Sequence, residues 1–324
     1  MRSALGRLRS LLAERPRLVP FVPIVVRRLT SRRRPIPELP TVRRGRTEAV
    51  RRTDQPTGLT AFSIVRNGIT NGYPFVEAYG SWLGDADRIV IVDGESDDGT
   101  KEALDELAAI APHVEVVSRP WPASDTGGVA IAELTQAALD LARPGAARLA
   151  YVQADEVFTP DQRQLMRAGT ATALEFAGCV NFWNSFDAVL ANDFPLRYVR
   201  AFPADDAVRP IGDGFSFELG DIRVERTPDE ILHYGWCFPV NILRKHLSHS
   251  RLYRDHPAYV LRGRLARLLL DTGSFDRRRL DALAPQYRPV PYEGEHPDAV
   301  AHLLGQAMYD PNRGLDLLAA GAVW

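Results

Sequence analysis

Three short stretches hold residue types that could do chemistry. Residues 93–100 read Asp-Gly-Glu-Ser-Asp-Asp-Gly-Thr, residues 153–156 read Gln-Ala-Asp-Glu, and residues 233–236 read His-Tyr-Gly-Trp. Two carboxylate clusters that converge in space repel each other unless something cationic joins them, and a divalent metal carrying a phosphorylated ligand would do so. A neutral imidazole such as that of His233 is a good ligand for Mn2+ and an acceptable one for Mg2+. Neither G-x-G-x-x-G nor G-x-x-x-x-G-K-[ST] occurs. Phosphates would therefore be held by a metal and side chains rather than by a glycine loop at a helix N-terminus. Each stretch also has a plain structural reading. The first could be a turn that caps the next helix. Asp155 and Glu156 could be acids near the start of a helix, and His233 an ordinary core histidine.

The elements around these residues must bring them together. Residues 59–65 form an apolar run that reads as a buried first strand. Asn71-Gly72 turns the chain, and Pro74 suits the start of a helix to about Leu83, which Gly84 stops. Residues 88–92 (RIVIV) read as a second strand buried on both faces, as in a parallel sheet. A helix is expected over 100–110, a third strand over 114–117, helical periodicity over 125–141 and a fourth strand over 148–152. Thr159-Pro160-Asp161 is a helix start with an N-cap, a proline and an acid in the first turn. This alternation predicts a doubly wound, largely parallel α/β sheet, whose ligands sit at the carboxyl ends of its strands. The loops after Val65, Val92 and Val152 should then meet. Further on, 180–186, 198–202 and 230–232 read as strands, and 240–252 and 259–270 as helices.

The chain has 324 residues, 45% of them apolar and 25% charged, with a net charge of −1. One domain of roughly 200–250 residues with appendages is the natural division. Cys179 and Cys237 match no zinc spacing and imply no disulfide framework. A reducing, cytoplasmic location fits them. The charge is uneven: residues 1–52, Met1 to Arg52, carry 15 Arg against Glu14, Glu38 and Glu48, a local balance of +12. Such an arm suggests peripheral contact with an anionic membrane face, or a solvated tail. Residues 1–13 mix Arg and Leu as a surface-lying helix does. The apolar run 18–26 contains two prolines and is too short to span a bilayer. With few aromatics in the arm and an acidic body, nucleic-acid binding is not expected.

The motifs carry a specific resemblance. IVDGESDDGT resembles the nucleotide-binding turn of family 2 glycosyltransferases, and AYVQADEVF resembles the strand bearing their D-x-D metal motif. VRNG, QADE and HYGW together are similar to a bacterial subgroup of family 2-like proteins, over roughly residues 57–239. The resemblance implies a GT-A fold, a Rossmann-like mixed sheet flanked by helices. It places a transferase domain over 57–239, between a basic arm over 1–56, set off by its composition, and a C-terminal extension over 240–324, read as helical from its pattern. Residues 57–170 would form the nucleotide-binding half and 171–239 the acceptor half.

By that resemblance, Asp93 would contact the nucleobase, and Asp155 with His233 would bind Mn2+ or Mg2+. Val65, Arg66, Asn67, Gly94, Ser96, Asp98, Gln153 and Ala154 would line the nucleotide-sugar site. Gln153 stands where the family has the first acid of D-x-D. The implied activity is inverting transfer from a nucleoside-diphosphate sugar to a glycan, lipid-linked or small-molecule acceptor. Such transfer needs a base for the acceptor hydroxyl. Asp213, between two glycines, and Glu218 are the nearest candidates. Two rivals stand beside this reading. One is a nucleotidyltransferase, although residues 63–71 lack the glycine-rich basic loop it would need. The other is a catalytically degenerate interaction protein, which Gln153 favours.

Overall fold

The computed structural model describes residues 38–41, 57–123, 128–169, 171–191, 196–273, 276–281, 283 and 288–324. The expectations for the basic arm fall almost wholly outside these residues, as does the start of the 125–141 helix.

The first half is a strand–helix alternation. Its elements are β1 (Thr57–Val65), α1 (Gly68–Asn71), α2 (Phe75–Gly80), β2 (Arg88–Asp93), α3 (Thr100–Ile110), β3 (Val114–Ser118), α4 (Val129–Ala142), β4 (Ala146–Tyr151), β5 (Glu156–Val157) and α5 (Pro160–Ala168). Strands dominate next: β6 (Ala173–Phe176), β7 (Gly178–Asn181), β8 (Ala188–Leu190), β9 (Tyr198–Pro203), β10 (Arg209–Ile211), β11 (Ser216–Glu218), β12 (Val224–Arg226) and β13 (Glu230–His233). The chain ends with α6 (Pro239–Leu252), α7 (Pro257–Thr272), α8 (Arg277–Asp281), β14 (Pro289–Pro291), α9 (Asp298–Ala301) and α10 (Pro311–Ala319).

The protein is mixed α/β, as expected, with a seven-stranded sheet in the order β12-β6-β9-β4-β1-β2-β3. β1 pairs in parallel with both β2 and β4, and β2 with β3, while β9 runs antiparallel between β4 and β6. Strand order therefore reverses at β1, and a crevice opens at the carboxyl ends of the strands at such a switch point. The RIVIV strand is covered on both faces. Ile89 and Ile91 join the core shared with α2 and α3, and Val90 and Val92 join the core shared with α4. α5 begins as its sequence requires, with a Thr159–Gln162 capping box and Pro160 in the first turn.

The expected 180–186 strand stops early. β7 ends at Asn181, and Phe182 makes only an isolated bridge to Val189. Aromatic residues there fill a core instead: Phe182 stacks on Tyr234 with ring centroids 4.4 Å apart. The C-terminal segment returns to the first half. Arg163 donates to the carbonyl of Trp324, and the Tyr309 hydroxyl donates to the buried Glu77 carboxylate. The segment 240–324 is also not purely helical, because β14 pairs with β8. Among the described residues no helix is long and apolar enough to cross a membrane.

Candidate active site

The loops after β1, β2 and β4 do meet. The first two are stitched directly to each other. The Asn67 N–H donates to Ser96 Oγ at 2.8 Å, the Thr70 N–H to Asp98 Oδ2 at 2.6 Å, and the Asp97 N–H to Asn67 Oδ1 at 2.9 Å. Asn67 itself sits in the left-handed region at φ 51°, a conformation asparagine tolerates better than most residues. Asp98, one residue before the Gly99 N-cap, also accepts from the first N–H of α3, that of Thr100. Asp93 ends β2, only 1% exposed, and accepts from the Ser96 N–H. At Gly94 a Cβ would fall 2.9 Å from the Trp121 ring. That ring carries the Arg66 guanidinium 4.7 Å from its centroid.

A second device brings in His233. β13 pairs antiparallel with β5, setting His233 opposite Glu156, and parallel with β7. The Tyr234 N–H donates to the Asp155 carbonyl at 2.7 Å. The imidazole Nε2 thereby comes within 3.2 Å of Asp155 Oδ2. The same carboxylate oxygen meets Lys245 Nζ from α6 at 3.3 Å. Burial alone would raise the Asp155 pKa, but His233 and Lys245 more than offset it, holding the carboxyl well below the usual carboxylate range. The neighbouring Glu156 is differently employed. It forms a fully buried bidentate pair with Arg200 of β9, at 2.8 and 2.7 Å.

Asp155, Glu156, His233 and Lys245 line one cleft of about 440 Å³. Of the expected nucleotide-sugar residues, Val65, Arg66, Asn67, Gln153 and Ala154 line it, together with Asp155, His233 and Asp213. Asp93, Gly94, Ser96 and Asp98 lie next to it without forming its wall, and the polar groups of the turn are engaged within the turn and with the facing loop. Asp213 accepts from the Tyr253 hydroxyl at 2.9 Å. Glu218 is exposed at the end of β11 and does not line the cleft. Strand alternation turns it outward while Phe217 packs inside.

Sequence reasoning did not place Lys245, Tyr73, Trp121 or Tyr253 here. No short-range pattern marks them, since each reaches the cleft through tertiary packing. Trp236 belongs to both the cleft wall and an aromatic core, packing against Trp183 with ring centroids 5.8 Å apart.

Two ligands at about 2.1 Å from one octahedral ion stand about 3 Å apart. The 3.2 Å between His233 Nε2 and Asp155 Oδ2 matches that spacing. Among the described residues, however, no group of three or more His, Cys, Asp or Glu could hold a metal. His233 and Asp155 could supply at most two ligands, so an ion there would need the rest of its shell from a diphosphate or water, and Lys245 Nζ, 3.3 Å from the same Asp155 oxygen, would have to give way.

No family profile matches the chain, and no curated protein matches it in sequence. Solved structures similar to it include S. aureus TarS residues 1–349, at 12% identity and a TM-score of 0.35, covering 59% of this chain and 64% of that one. The mannosyltransferase PcManGT from Pyrobaculum calidifontis, in complex with GDP-Man and Mn2+, is 15% identical with a TM-score of 0.32, covering 97% and 94%. The bifunctional glycosyltransferase WbbM is 12% identical with a TM-score of 0.28, covering 83% of this chain and 50% of that one. The chain spans less than two thirds of the length of the TarS structures it matches.

Proposed function

We propose that this protein is a GT-A-type, family 2-like inverting glycosyltransferase using a nucleoside-diphosphate sugar. The observation that carries the reading is the convergence of Asp155 and His233 at 3.2 Å. They meet in a cleft at the carboxyl ends of the sheet, beside the switch point. Diphosphate binding there has cationic help from Arg66 and Arg251, which also line the cleft. Arg66 and Trp121 offer a stacked surface beside the turn that carries Asp93, the residue proposed to read the nucleobase.

Asp155 and His233 would hold Mn2+ or Mg2+ on the donor diphosphate, and the ion when bound supplies Lewis-acid stabilisation of the leaving nucleoside diphosphate. Asp213 is the proposed general base. Its carboxylate takes the proton of the acceptor hydroxyl as that oxygen attacks the anomeric carbon, and the Tyr253 hydroxyl fixes its orientation. No covalent intermediate on the protein is required.

Calorimetry and a donor-hydrolysis assay with UDP- and GDP-sugars, with and without Mn2+, test this reading. A transferase hydrolyses one donor slowly. A degenerate interaction protein gives no hydrolysis of any donor, and that result would discard the catalytic reading. The arm over 1–52 is proposed to be dispensable for chemistry and to favour anionic membranes, each Arg near the surface contributing about 1 kcal/mol. Equal sedimentation of full-length and arm-truncated chains on anionic vesicles would rule that out.

A further inference from the structure

Lys245 stands where a metal-dependent site would not need a second cation. Its side chain is 3% exposed. Nζ donates to the Gly235 carbonyl at 2.9 Å and to Asp155 Oδ2 at 3.3 Å. The rings of Tyr73 and Trp236 flank it at 4.4 and 4.3 Å. An ammonium has three N–H donors. Two are directed to these oxygens, and the third has no oxygen acceptor among the described residues.

A simple neutralising partner for Asp155 would explain the ion pair but not its surroundings. Asp155 already has the His233 imidazole on the same oxygen. Lys245 also lines the cleft itself, although a buried charge is usually sealed from ligands by its partners. The residue type is a further pointer. The chain has 40 basic residues, and only Lys101 and Lys245 are lysines. Lys101 is half-exposed in an i,i+4 pair with Asp105. At 245 the space is tight: a Cβ on Gly235 would come 2.5 Å from Nζ. A compact ammonium fits there, whereas the planar fork of arginine is wider.

We propose that Lys245 is a fixed cation of the donor site, binding the nucleotide diphosphate directly. The inference rests on the donor reading above. It gives nucleoside-diphosphate binding a component that survives removal of divalent ions. It also orders assembly. In the free protein the ammonium opposes a metal at Asp155, and an arriving diphosphate draws that charge onto itself and opens the carboxylate to the ion.

Titrate UDP and GDP into the full chain in EDTA and in Mn2+, for wild type and Lys245→Met, and titrate Mn2+ alone into both proteins. The expected result is wild-type nucleotide binding in EDTA that weakens about tenfold or more in Lys245→Met, the loss of one hydrogen bond to a charged group. Mn2+ alone should bind the variant more tightly. Equal nucleotide affinity of the two folded proteins in EDTA, or wild-type binding that requires Mn2+, would overturn the inference while leaving the donor reading intact. No binding in either medium would instead remove the donor reading. Should Lys245→Met fail to fold, lysine 13Cε/15Nζ labelling of the wild type replaces it. Only two lysine signals exist, and Lys101→Arg assigns them. UDP or GDP in EDTA should shift the Lys245 signal, and a signal unmoved by saturating nucleotide would overturn the inference.

Discussion

The 93–100 turn and the Asp155 corner both place acids at carboxyl ends of the central strands, yet they spend them in opposite ways. In the turn, Asp93 and Asp98 accept from main-chain N–H groups of the turn itself and of the facing loop. Those donors cannot leave without unmaking the loop pair. At the corner, Asp155 meets the side chains of His233 and Lys245, the latter 90 residues away in sequence. Such partners can be redirected toward a ligand. The first arrangement is a clamp that shapes the cleft, and the second is a charge cluster that can respond to what enters it.

The sharpest way to break this contrast is Asp155→Ala. It removes the acid proposed to hold the metal and leaves Lys245 buried without its counter-charge. A loss of about 3–5 kcal/mol in urea unfolding is expected, together with loss of transfer. Adding Lys245→Met should recover most of the stability and none of the activity. If Asp155→Ala alone is as stable as wild type, the cluster is not the tense pair described here. Because the Asp155 pKa is depressed in the folded state, its stabilisation is fully present above the unfolded value of 3.8. It fades as pH falls below that value toward the folded pKa. Asp155 therefore stays ionised across any neutral or mildly acid assay.

Gly235→Ala probes the same cluster through space rather than charge. A Cβ there would lie 2.2 Å from Asp155 Oδ2 and 2.5 Å from Lys245 Nζ, so one of the two must move. Overpacking of this kind costs about 1–3 kcal/mol, and nucleotide affinity should fall with it. Melting and calorimetry on the one variant test both effects. An unchanged nucleotide affinity would mean that these two side chains do not form the binding surface.

The two regions also differ in how far the sequence exposes them. The β1–α4 alternation is legible because each strand is a short apolar run and each helix has its own stop or start signal. The RIVIV run and the Thr159 cap are the plainest cases. Their geometry follows from local periodicity, and the meeting of three loops follows from parallel topology. The pairing of Asp155 with His233 is legible only as two motifs, because a strand register far downstream sets their distance. Lys245 has no local signal. It lies in an amphipathic helix, where a lysine ordinarily faces solvent, and the docking of Asn241 onto the Ile69 carbonyl turns it inward. The strands after residue 180 leave a weaker signal, since aromatics there serve ring packing as much as sheet pairing.

A smaller effect is expected from Asp93→Ala. With Asp93 proposed to contact the nucleobase, donor affinity should drop by about 1.5–3 kcal/mol, the contribution of one charge-assisted hydrogen bond, while the fold persists. Calorimetry giving wild-type affinity in a folded variant would move Asp93 from the ligand side of the comparison to the clamp side.

The smallest effect is expected from Asp98→Ala, five residues further along the same turn. Both carboxylate oxygens of Asp98 are already engaged: Oδ1 accepts from the Thr100 N–H and hydroxyl, and Oδ2 accepts from the Thr70 N–H. The Thr100 hydroxyl in turn accepts from the Ile69 N–H, so this carboxylate organises both loops at once. Removing it leaves those donors to find water, which costs about 1 kcal/mol, the net contribution of a hydrogen bond whose donor can be rehydrated. Thr70 is half-buried, so water can replace much of what is lost. The turn should then loosen without losing a ligand contact, since Asp98 does not line the cleft. The expected signature is a lower urea midpoint with unchanged slope and a donor affinity close to wild type. Were Asp98→Ala to weaken donor binding by more than its loss of stability, the turn would be a binding element in its own right, and the contrast between clamp and responsive cluster would fail.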